Sequence, residues 1–346
     1  MERQHFLALD GLRGVAALLV MGHHIGLLSG HPEIAPLGFL AVDLFFVLSG
    51  FVIAYSYEPR FAAGYPVRTF LVARLIRLYP LIFIGLLLGA AWSLMVGDHA
   101  FSAASSINFL LLPVLVGAVT FPFDVPVWSL FFEVVANVAH VAVLGRLSSR
   151  LLLALALACG LALFAAIVHF ATPSLGWEPR TFLAGFARVG WSYIVGILFY
   201  RWIKGRELRP SKLPLLLPFA VLIVALHGPP PPVWMIARGA IDIFLILPAI
   251  VWAALHLRPT GRWASVMAWL GRLSFPLYAI HLPIVTFAAR FIVNRPDGSQ
   301  LWWWALFVFV IIAAALALER RVDLPVRRRL GRHLIDAEGT SCRAPG

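Results

Sequence analysis

The sequence predicts an all-α membrane protein: a polytopic bundle of about ten transmembrane helices with one further short or re-entrant segment. Of its 346 residues, 61% are hydrophobic and only 13% are charged, and the mean hydropathy is +0.89. A water-soluble domain has too little polar surface to cover so much apolar material, and disordered chains are far less hydrophobic. Since the chain has only two cysteines, a secreted disulfide scaffold is also excluded.

Ten stretches of the sequence are apolar and close enough to 20 residues long to cross about 30 Å of hydrocarbon as helices. The first follows a short polar start and lacks a cleavage site of small residues, which indicates a retained span and not a signal peptide. We therefore predict one membrane domain over residues 1–325. The predicted spans are residues 9–28, 38–57, 76–96, 127–145, 151–170, 182–200, 213–228, 237–256, 273–293 and 301–319.

The segment 106–120 is an eleventh apolar stretch, but it is short and contains a proline. If it does not cross, most arginine-rich loops fall on the side that holds both termini, as the positive-inside rule requires. If it does cross, the clusters at 146–150 and 201–212 fall on the opposite side from the cluster at 60–77. We therefore expect ten crossings, with both termini cytoplasmic and 98–126 as an outer loop that partly re-enters the bilayer.

The chain carries 28 Lys and Arg residues against 16 Asp and Glu residues, a net charge of +12. The basic residues lie in short loops between apolar stretches, which is typical of topology signals in a bilayer and not of a nucleic-acid-binding surface. We expect residues 326–346 to form a basic cytoplasmic tail that is disordered past Leu334. The sequence leaves the oligomeric state open.

Ionisable residues within the predicted spans mark the candidate site, because a charge near the bilayer centre costs at least about 2.5–3.5 kcal/mol. Arg13 and His24 lie eleven residues apart in the first span, and eleven steps of about 100° place both on one helix face. Asp10 lies one turn before Arg13 and is placed to orient it. We expect a hollow to join Arg13 and His24; the alternative is that each snorkels to its own headgroup layer.

His24, Asp43 and Glu133 are predicted to lie at one depth, roughly 6–9 Å below the outer boundary, when each is counted from the outer end of its span. An imidazole beside two carboxylates suits general acid–base chemistry. A metal site is the weaker interpretation, because the spacing typical of helical zinc ligands is missing.

Two further pairs of polar residues occur in the spans. Arg74 and Arg77 lie one turn apart at the inner end of the third span, where paired guanidinium groups suit phosphates but also fit ordinary positive-inside anchoring. Tyr278 and His281 lie in the ninth crossing between two prolines, and a polar, proline-loosened helix in a bundle usually lines a cavity.

For the other ionisable residues within the predicted spans, we expect structural roles and no part in catalysis. Arg188 and Asp242 are expected to form a buried ion pair between spans without a catalytic role. His140 and His169, nearer to span ends, are expected to be locally satisfied.

Five motifs occur in order along the chain and contain most of these residues. Together they make residues 6–325 resemble the integral-membrane acyltransferase family 3, which includes bacterial O-antigen and exopolysaccharide O-acetylases. One departure is Phe132, where many members carry an acidic or polar residue. The chain resembles the stand-alone form, without a fused esterase-like domain. The motifs are LDGLRGVAALLVMGHH, with Arg13 and His24; GFLAVDLFFVLSGFVI, with Asp43 and Ser49; RLIRLYP, with Arg74 and Arg77; VWSLFFE, with Trp128, Ser129 and Glu133; and SFPLYAIHLP, with Tyr278 and His281.

The resemblance implies an acyl-CoA donor, usually acetyl-CoA, that binds from the cytoplasm as a substrate, with no permanently bound cofactor. It also implies a hydroxyl acceptor, a carbohydrate or glycolipid, at the outer face of the bacterial cytoplasmic membrane. His24 is then expected to act as general base or transient acyl carrier. Glu133 or Asp43 would hold its tautomer and balance its charge, and Arg13 would steady the thioester or the pantetheine arm. The expected substrate-binding residues are Asp10, Arg74, Arg77, Trp128, Ser129, Tyr278 and His281.

Two other functions are alternatives to an acyltransferase. A transporter or flippase of a lipid-linked sugar or small amphiphile also needs polar groups along a cavity. A non-catalytic membrane partner is disfavoured, because it has no use for so many intramembrane ionisable groups.

Overall fold

The computed structural model describes residues 5–97, 102, 104–228, 234–293 and 299–330. These residues form helices and loops, with no strand among them. Eight of their helical segments are long and apolar enough to cross a membrane, and two shorter apolar helices accompany them. The predicted polytopic helical bundle is therefore confirmed. The helices are α1 (Leu7–Ser29), α2 (Ala41–Ala62), α3 (Val67–Val96), α4 (Val127–Ala142), α5 (Ser149–Phe170), α6 (Phe182–Ile203), α7 (Leu217–His227), α8 (Met235–Ile241), α9 (Leu247–Leu255), α10 (Gly261–Ile292) and α11 (Gln300–Leu318).

Each of the ten predicted spans contains a helix, although two of the helices are short. Helix α4 has 16 residues and α7 only 11, which correspond to about 24 Å and 16 Å of helix. Helix α7 is shorter than the predicted span 213–228, because Pro214 and Pro218 disfavour helical backbone before them. Helices α8 and α9 form one span through a π-helical turn, Asp242–Ile246.

The segment 106–120 does not form a spanning helix. A short 3-10 helix, Ser105–Leu110, ends at Leu111 in the left-handed region, and the chain then continues as a loop. The Asn108 amide donates to the carbonyls of Leu112 and Thr120, which folds the loop back on itself. The prediction that this segment does not cross as a helix is thus confirmed, while residues 98–101 and 103 lie outside the described residues.

Successive spans run in opposite directions along the bundle, with α8 and α9 counted as one span. We call the end of the bundle where α1 begins the proximal end and the other the distal end. At the proximal end Arg201 donates to Glu58 and to the Gly145 carbonyl. At the distal end the Leu37 amide donates to the Leu226 carbonyl.

Small residues let the helices pack closely, as is common in membrane bundles. Helix α1 packs along α10, and α2 packs along α6. At the α2–α6 contact, a Cβ on Gly50 would collide with the Tyr193 carbonyl, and a Cβ on Gly196 would collide with the Val47 carbonyl. Glycine is therefore required where these two backbones meet.

The last helix continues beyond the predicted boundary at residue 325. A π-helical turn, Glu319–Asp323, follows α11, and helix then extends through Leu330. Arg327, which the sequence placed in the tail, pairs with Asp323 at 2.7 Å and donates to the Arg77 carbonyl. The predicted disorder past Leu334 falls outside the described residues.

Candidate active site

A cavity lies between α1, α2, α3, α4 and α10, with about 700 Å³ of empty space when its opening to solvent is included. Its wall is apolar except for three arginines, one glutamate and four hydroxyl groups. This confirms the expectation that the proline-containing helix α10 borders a cavity, although α10 stays continuous through Pro276 and Pro283. The polar wall residues are Arg13, Arg74, Arg77, Glu133, Ser49, Ser129, Ser274 and Tyr278.

Glu133 pairs with Arg74 and not with His24. The Arg74 Nη2 donates to Glu133 Oε1 at 2.5 Å, and the Ser49 hydroxyl donates to the same oxygen at 2.9 Å. The sequence predicted Glu133 beside the histidine because the two share a depth, but depth does not fix the direction in which a helix presents a side chain. A buried carboxylate needs a cation or several donors, and here α3 and α2 supply them.

Arg13 and Arg77 both line the cavity, but among the residues described only Arg13 has a carboxylate nearby. Arg13 Nη1 lies 3.6 Å from Asp10 Oδ1, so the two side chains are within ion-pair distance on one helix turn. The Arg77 guanidinium lines the cavity with no carboxylate of the described chain within ion-pair distance. An unneutralised guanidinium in such a wall attracts an anionic ligand group.

Asp43 forms a buried ion pair with Arg188. Arg188 Nη2 donates to Asp43 Oδ2 at 2.6 Å and its Nε donates to both carboxylate oxygens at 3.0 Å, while the Ser192 hydroxyl donates to Oδ1 at 3.3 Å. Both side chains are 1% exposed. The expectation that Asp43 faces His24 is therefore wrong, because α2 turns Asp43 toward α6.

The predicted pair of Arg188 and Asp242 is also wrong. Asp242 pairs instead with Arg238, one turn earlier, at 3.2 Å. Trp128, predicted to bind substrate, lies with its ring 5.3 Å from the Arg188 guanidinium carbon and is largely buried. It therefore covers the Asp43–Arg188 pair.

Ser129 and Tyr278 form a hydroxyl pair on the cavity wall. Their oxygens are 2.7 Å apart, and both hydroxyls also lie within hydrogen-bond distance of the Pro126 carbonyl, at the start of α4. The structure thus brings together two residues that are 149 positions apart in sequence.

His24 meets His281 between α1 and α10. His281 Nε2 lies 3.1 Å from His24 Nδ1. His281 Nδ1 lies 2.9 Å from the Tyr278 carbonyl, and His24 Nδ1 lies 2.9 Å from the Val20 carbonyl. Because carbonyl oxygens only accept, the network assigns a proton to Nδ1 of both neutral rings. The single His24 Nδ1–H is then shared between the Val20 carbonyl and His281 Nε2, and His24 Nε2 keeps a free lone pair.

The histidine pair lies beyond the cavity and does not line it. Tyr278 borders the cavity, and its ring centroid is 5.8 Å from that of His281. Arg13 and His24 therefore both face the interior, but the cavity stops at Tyr278 before it reaches His24. The expectation that one hollow joins Arg13 and His24 is therefore wrong. The cavity ends at Tyr278, and the His24–His281 contact lies beyond it.

Sequence reasoning missed Asp124, whose carboxyl group is 1% exposed. It lies in the loop before α4, where no helical pattern of apolar residues could predict that it is buried. His140 is buried with its Nδ1 3.4 Å from the Tyr193 hydroxyl, but its Nε2 has no hydrogen-bond partner among the described residues, so the expectation of a locally satisfied side chain holds for one nitrogen only. Across the described ranges, no three His, Cys, Asp or Glu side chains are grouped so that they could hold a metal ion.

A family profile with the description "Acyltransferase domain" (Acyl_transf_3) matches residues 6–320, and this range includes every residue of the site. The chain belongs to this acyltransferase family. "Acyltransferase MdmB" of Streptomyces mycarofaciens is 26% identical to it over 94% of this chain and 92% of the relative. "Protein 2 in picA locus" of Rhizobium radiobacter is 36% identical over 40% of this chain and 81% of the relative.

No solved structure matches this acyltransferase. Its membrane helices and its family nevertheless agree: the protein is an integral-membrane acyltransferase. The resemblance seen in the five sequence motifs is therefore confirmed at the level of the family.

Proposed function

We propose that this acyltransferase moves an acyl group, by preference acetyl, from cytoplasmic acyl-CoA to a hydroxyl of a carbohydrate or glycolipid at the outer face. The observation that carries this proposal is the order of groups in the bundle. An unneutralised arginine, Arg77, lines the apolar cavity, Tyr278 forms another part of its wall, and the His24–His281 pair follows. This order matches a donor with an anionic head, a long thin arm and a thioester at its end.

The proximal part of the cavity is assigned to the donor. The phosphates of acyl-CoA would bind Arg77 and Arg13, since guanidinium groups match phosphate oxygens in geometry and charge. The pantetheine arm would run along the apolar wall, which includes Phe45 and Leu78. Glu133 holds Arg74 in place and takes no proton in this scheme.

His24 is assigned the proton transfer. As the acceptor oxygen attacks the thioester carbon, its proton passes to His24 Nε2; the C–S bond then breaks, and the CoA thiolate takes that proton. In the covalent variant, Nε2 first attacks the thioester carbon and displaces the thiolate. The acceptor hydroxyl then attacks the acyl-imidazole and its proton goes to the thiolate. In both, His281 holds the His24 tautomer, the role first expected of Glu133 or Asp43.

The proximal end is assigned to the cytoplasm of a bacterial cell. Its loops carry most of the arginines, for example Arg60, Arg146 and Arg206, as the positive-inside rule requires. The donor then enters from the compartment in which CoA thioesters are made, and the acceptor reaches His24 from the distal end.

Mass spectrometry of surface glycans and glycolipids tests this function directly. Cells that lack the gene should lose one ester-linked acyl group, and the wild-type gene should restore it. Membranes that contain the protein should also release free thiol from acetyl-CoA. Unchanged glycan masses without thiol release would favour a transporter or flippase, which consumes no acyl-CoA.

A further inference from the structure

Asp124 is a buried acid that the proposed mechanism does not use. It lies in the loop before α4, is 1% exposed, and neither carboxyl oxygen has a hydrogen-bond donor among the described residues. An ionised carboxylate without a donor or cation in such a place is strongly disfavoured. In agreement, burial raises the pKa of the Asp124 carboxyl well above its usual range.

Two glycines of α3 bring Asp124 into the interior. Gly89 lets the Phe123 backbone lie directly against α3, because a Cβ at position 89 would overlap the Phe123 carbonyl oxygen. One turn earlier, a Cβ on Gly85 would lie 2.8 Å from Asp124 Oδ2 and would overlap the Ala279 carbonyl oxygen. The Asp124 carboxyl and the Ala279 carbonyl therefore both approach the space that a side chain at position 85 would fill.

The Ala279 carbonyl lacks its ordinary helical donor. In a regular helix it would accept from the amide four residues later, but that residue is Pro283, which has no N–H. A protonated carboxyl supplies the missing donor. An ionised one would instead place a negative charge beside the negative end of the carbonyl dipole.

We propose that Asp124 is held as a neutral carboxylic acid that donates its proton to the Ala279 carbonyl and thereby fixes the turn of α10 that carries Tyr278 and His281. This role rests on the proposed function, because those two residues connect the cavity to His24. Asp124 is a positioning residue: it sets the direction of the Tyr278 hydroxyl and of the His281 ring and contacts no substrate.

Two uncharged substitutions of similar size test whether position 124 needs a hydrogen-bond donor. Asp124→Asn keeps a donor for the carbonyl, whereas Asp124→Leu keeps the shape and removes the donor. Acetyl-CoA-dependent thiol release by native membranes, normalised to the amount of folded protein, should persist in Asp124→Asn and fall roughly 100-fold in Asp124→Leu, because small displacements of reacting groups cost that much. The control is Glu33→Gln in an exposed distal loop, which should match wild type.

An infrared measurement tests the protonation state without reference to activity. The difference spectrum between the purified wild-type protein and Asp124→Asn should contain a protonated carboxyl stretch that shifts in D₂O. Absence of that band, an inactive Asp124→Asn, or a fully active Asp124→Leu would each overturn the assignment. If the band is present but even wild type releases no thiol, the proposed function fails while the neutral acid stands.

Discussion

At the scale of single residues, several charges inside this bundle have close partners, among them those of Asp43, Arg74 and Asp242. Asp43 illustrates this, because Arg188 engages both of its oxygens while also donating to the Leu175 carbonyl. Such a pair repays its desolvation only while both members are present. Asp43 therefore stabilises the contact between α2 and α6, and both of its oxygens are hydrogen-bonded there and not to His24.

Replacement of one member of this pair should destabilise the protein by about 3–5 kcal/mol, because an uncompensated charge stays buried. Arg188→Met should thus lower the thermal stability of the detergent-solubilised protein, and the double variant Asp43→Leu with Arg188→Met should recover most of it. Arg180→Met, in an exposed pair with Glu178, should change stability by less than about 1 kcal/mol. A stable but inactive double variant would show that Asp43 takes part in the reaction.

The contact between the two histidines gives a second residue-scale prediction. His281→Gln retains an amide oxygen that can accept from His24 Nδ1, whereas His281→Leu cannot accept. Thiol release should fall about 100-fold or more in His281→Leu and less in His281→Gln, since an unoriented base loses much of its effect. His169→Leu, an exposed site, serves as control. Equal activity of His281→Leu and wild type would remove the orienting role.

The sequence could identify these polar residues but not their pairing. Counting 1.5 Å per residue gives the depth of His24, Asp43 and Glu133, but the partner of each depends on helix rotation. Contacts such as His24 with His281 join positions 257 residues apart, and only packing determines them. Arg13 with Asp10 was predictable because both lie on one helix turn.

At the scale of elements, the apolar stretches located the helical segments but not their exact lengths, and eight of the described segments are long enough to cross a membrane. Prolines shortened α7, and one π-helical turn interrupted the span of α8 and α9, which hydropathy alone does not reveal. Close helix contacts were equally hidden, because a glycine in an apolar stretch has no signal of its own. Gly50 and Gly196 are examples at the α2–α6 contact.

Alanine at either of these glycines should separate α2 from α6. We expect Gly50→Ala and Gly196→Ala each to lower the free energy of unfolding by about 1–3 kcal/mol, as is typical of overpacking. Thermal unfolding in detergent measures this change. The matched control is Gly22→Ala in α1, where the added Cβ would have neighbours at 3.7 Å and 3.8 Å, which is ordinary contact. If all three variants unfold alike, close backbone approach does not hold this contact together.

At the scale of the whole molecule, the distribution of arginine predicts the orientation in the membrane. Helix directions alternate from α1 onward, so the 143–148 loop and the 31–37 loop lie at opposite ends. The proposed donor path depends on the proximal end being cytoplasmic, because acyl-CoA is not available outside the cell.

Cysteine labelling tests this orientation. After Cys159 and Cys342 are changed to serine, Ser149→Cys should react with an impermeant maleimide only in permeabilised cells. His31→Cys should react in intact cells. Both sites are exposed, so access is set by the membrane alone. Labelling of Ser149→Cys from outside would reverse the assignment of the two faces.

The central claim is that His24 Nε2 handles the proton or the acyl group, and asparagine tests it with little other change. His24→Asn keeps an N–H near the position of Nδ1, for the Val20 carbonyl, and removes Nε2. His23→Asn makes the same change at the neighbouring ring, whose Nδ1 faces the Ala35 carbonyl. In native membranes with acetyl-CoA, wild type and His23→Asn should release free thiol, and His24→Asn should fall at least about 100-fold at equal protein level. Full activity of His24→Asn would contradict the mechanism.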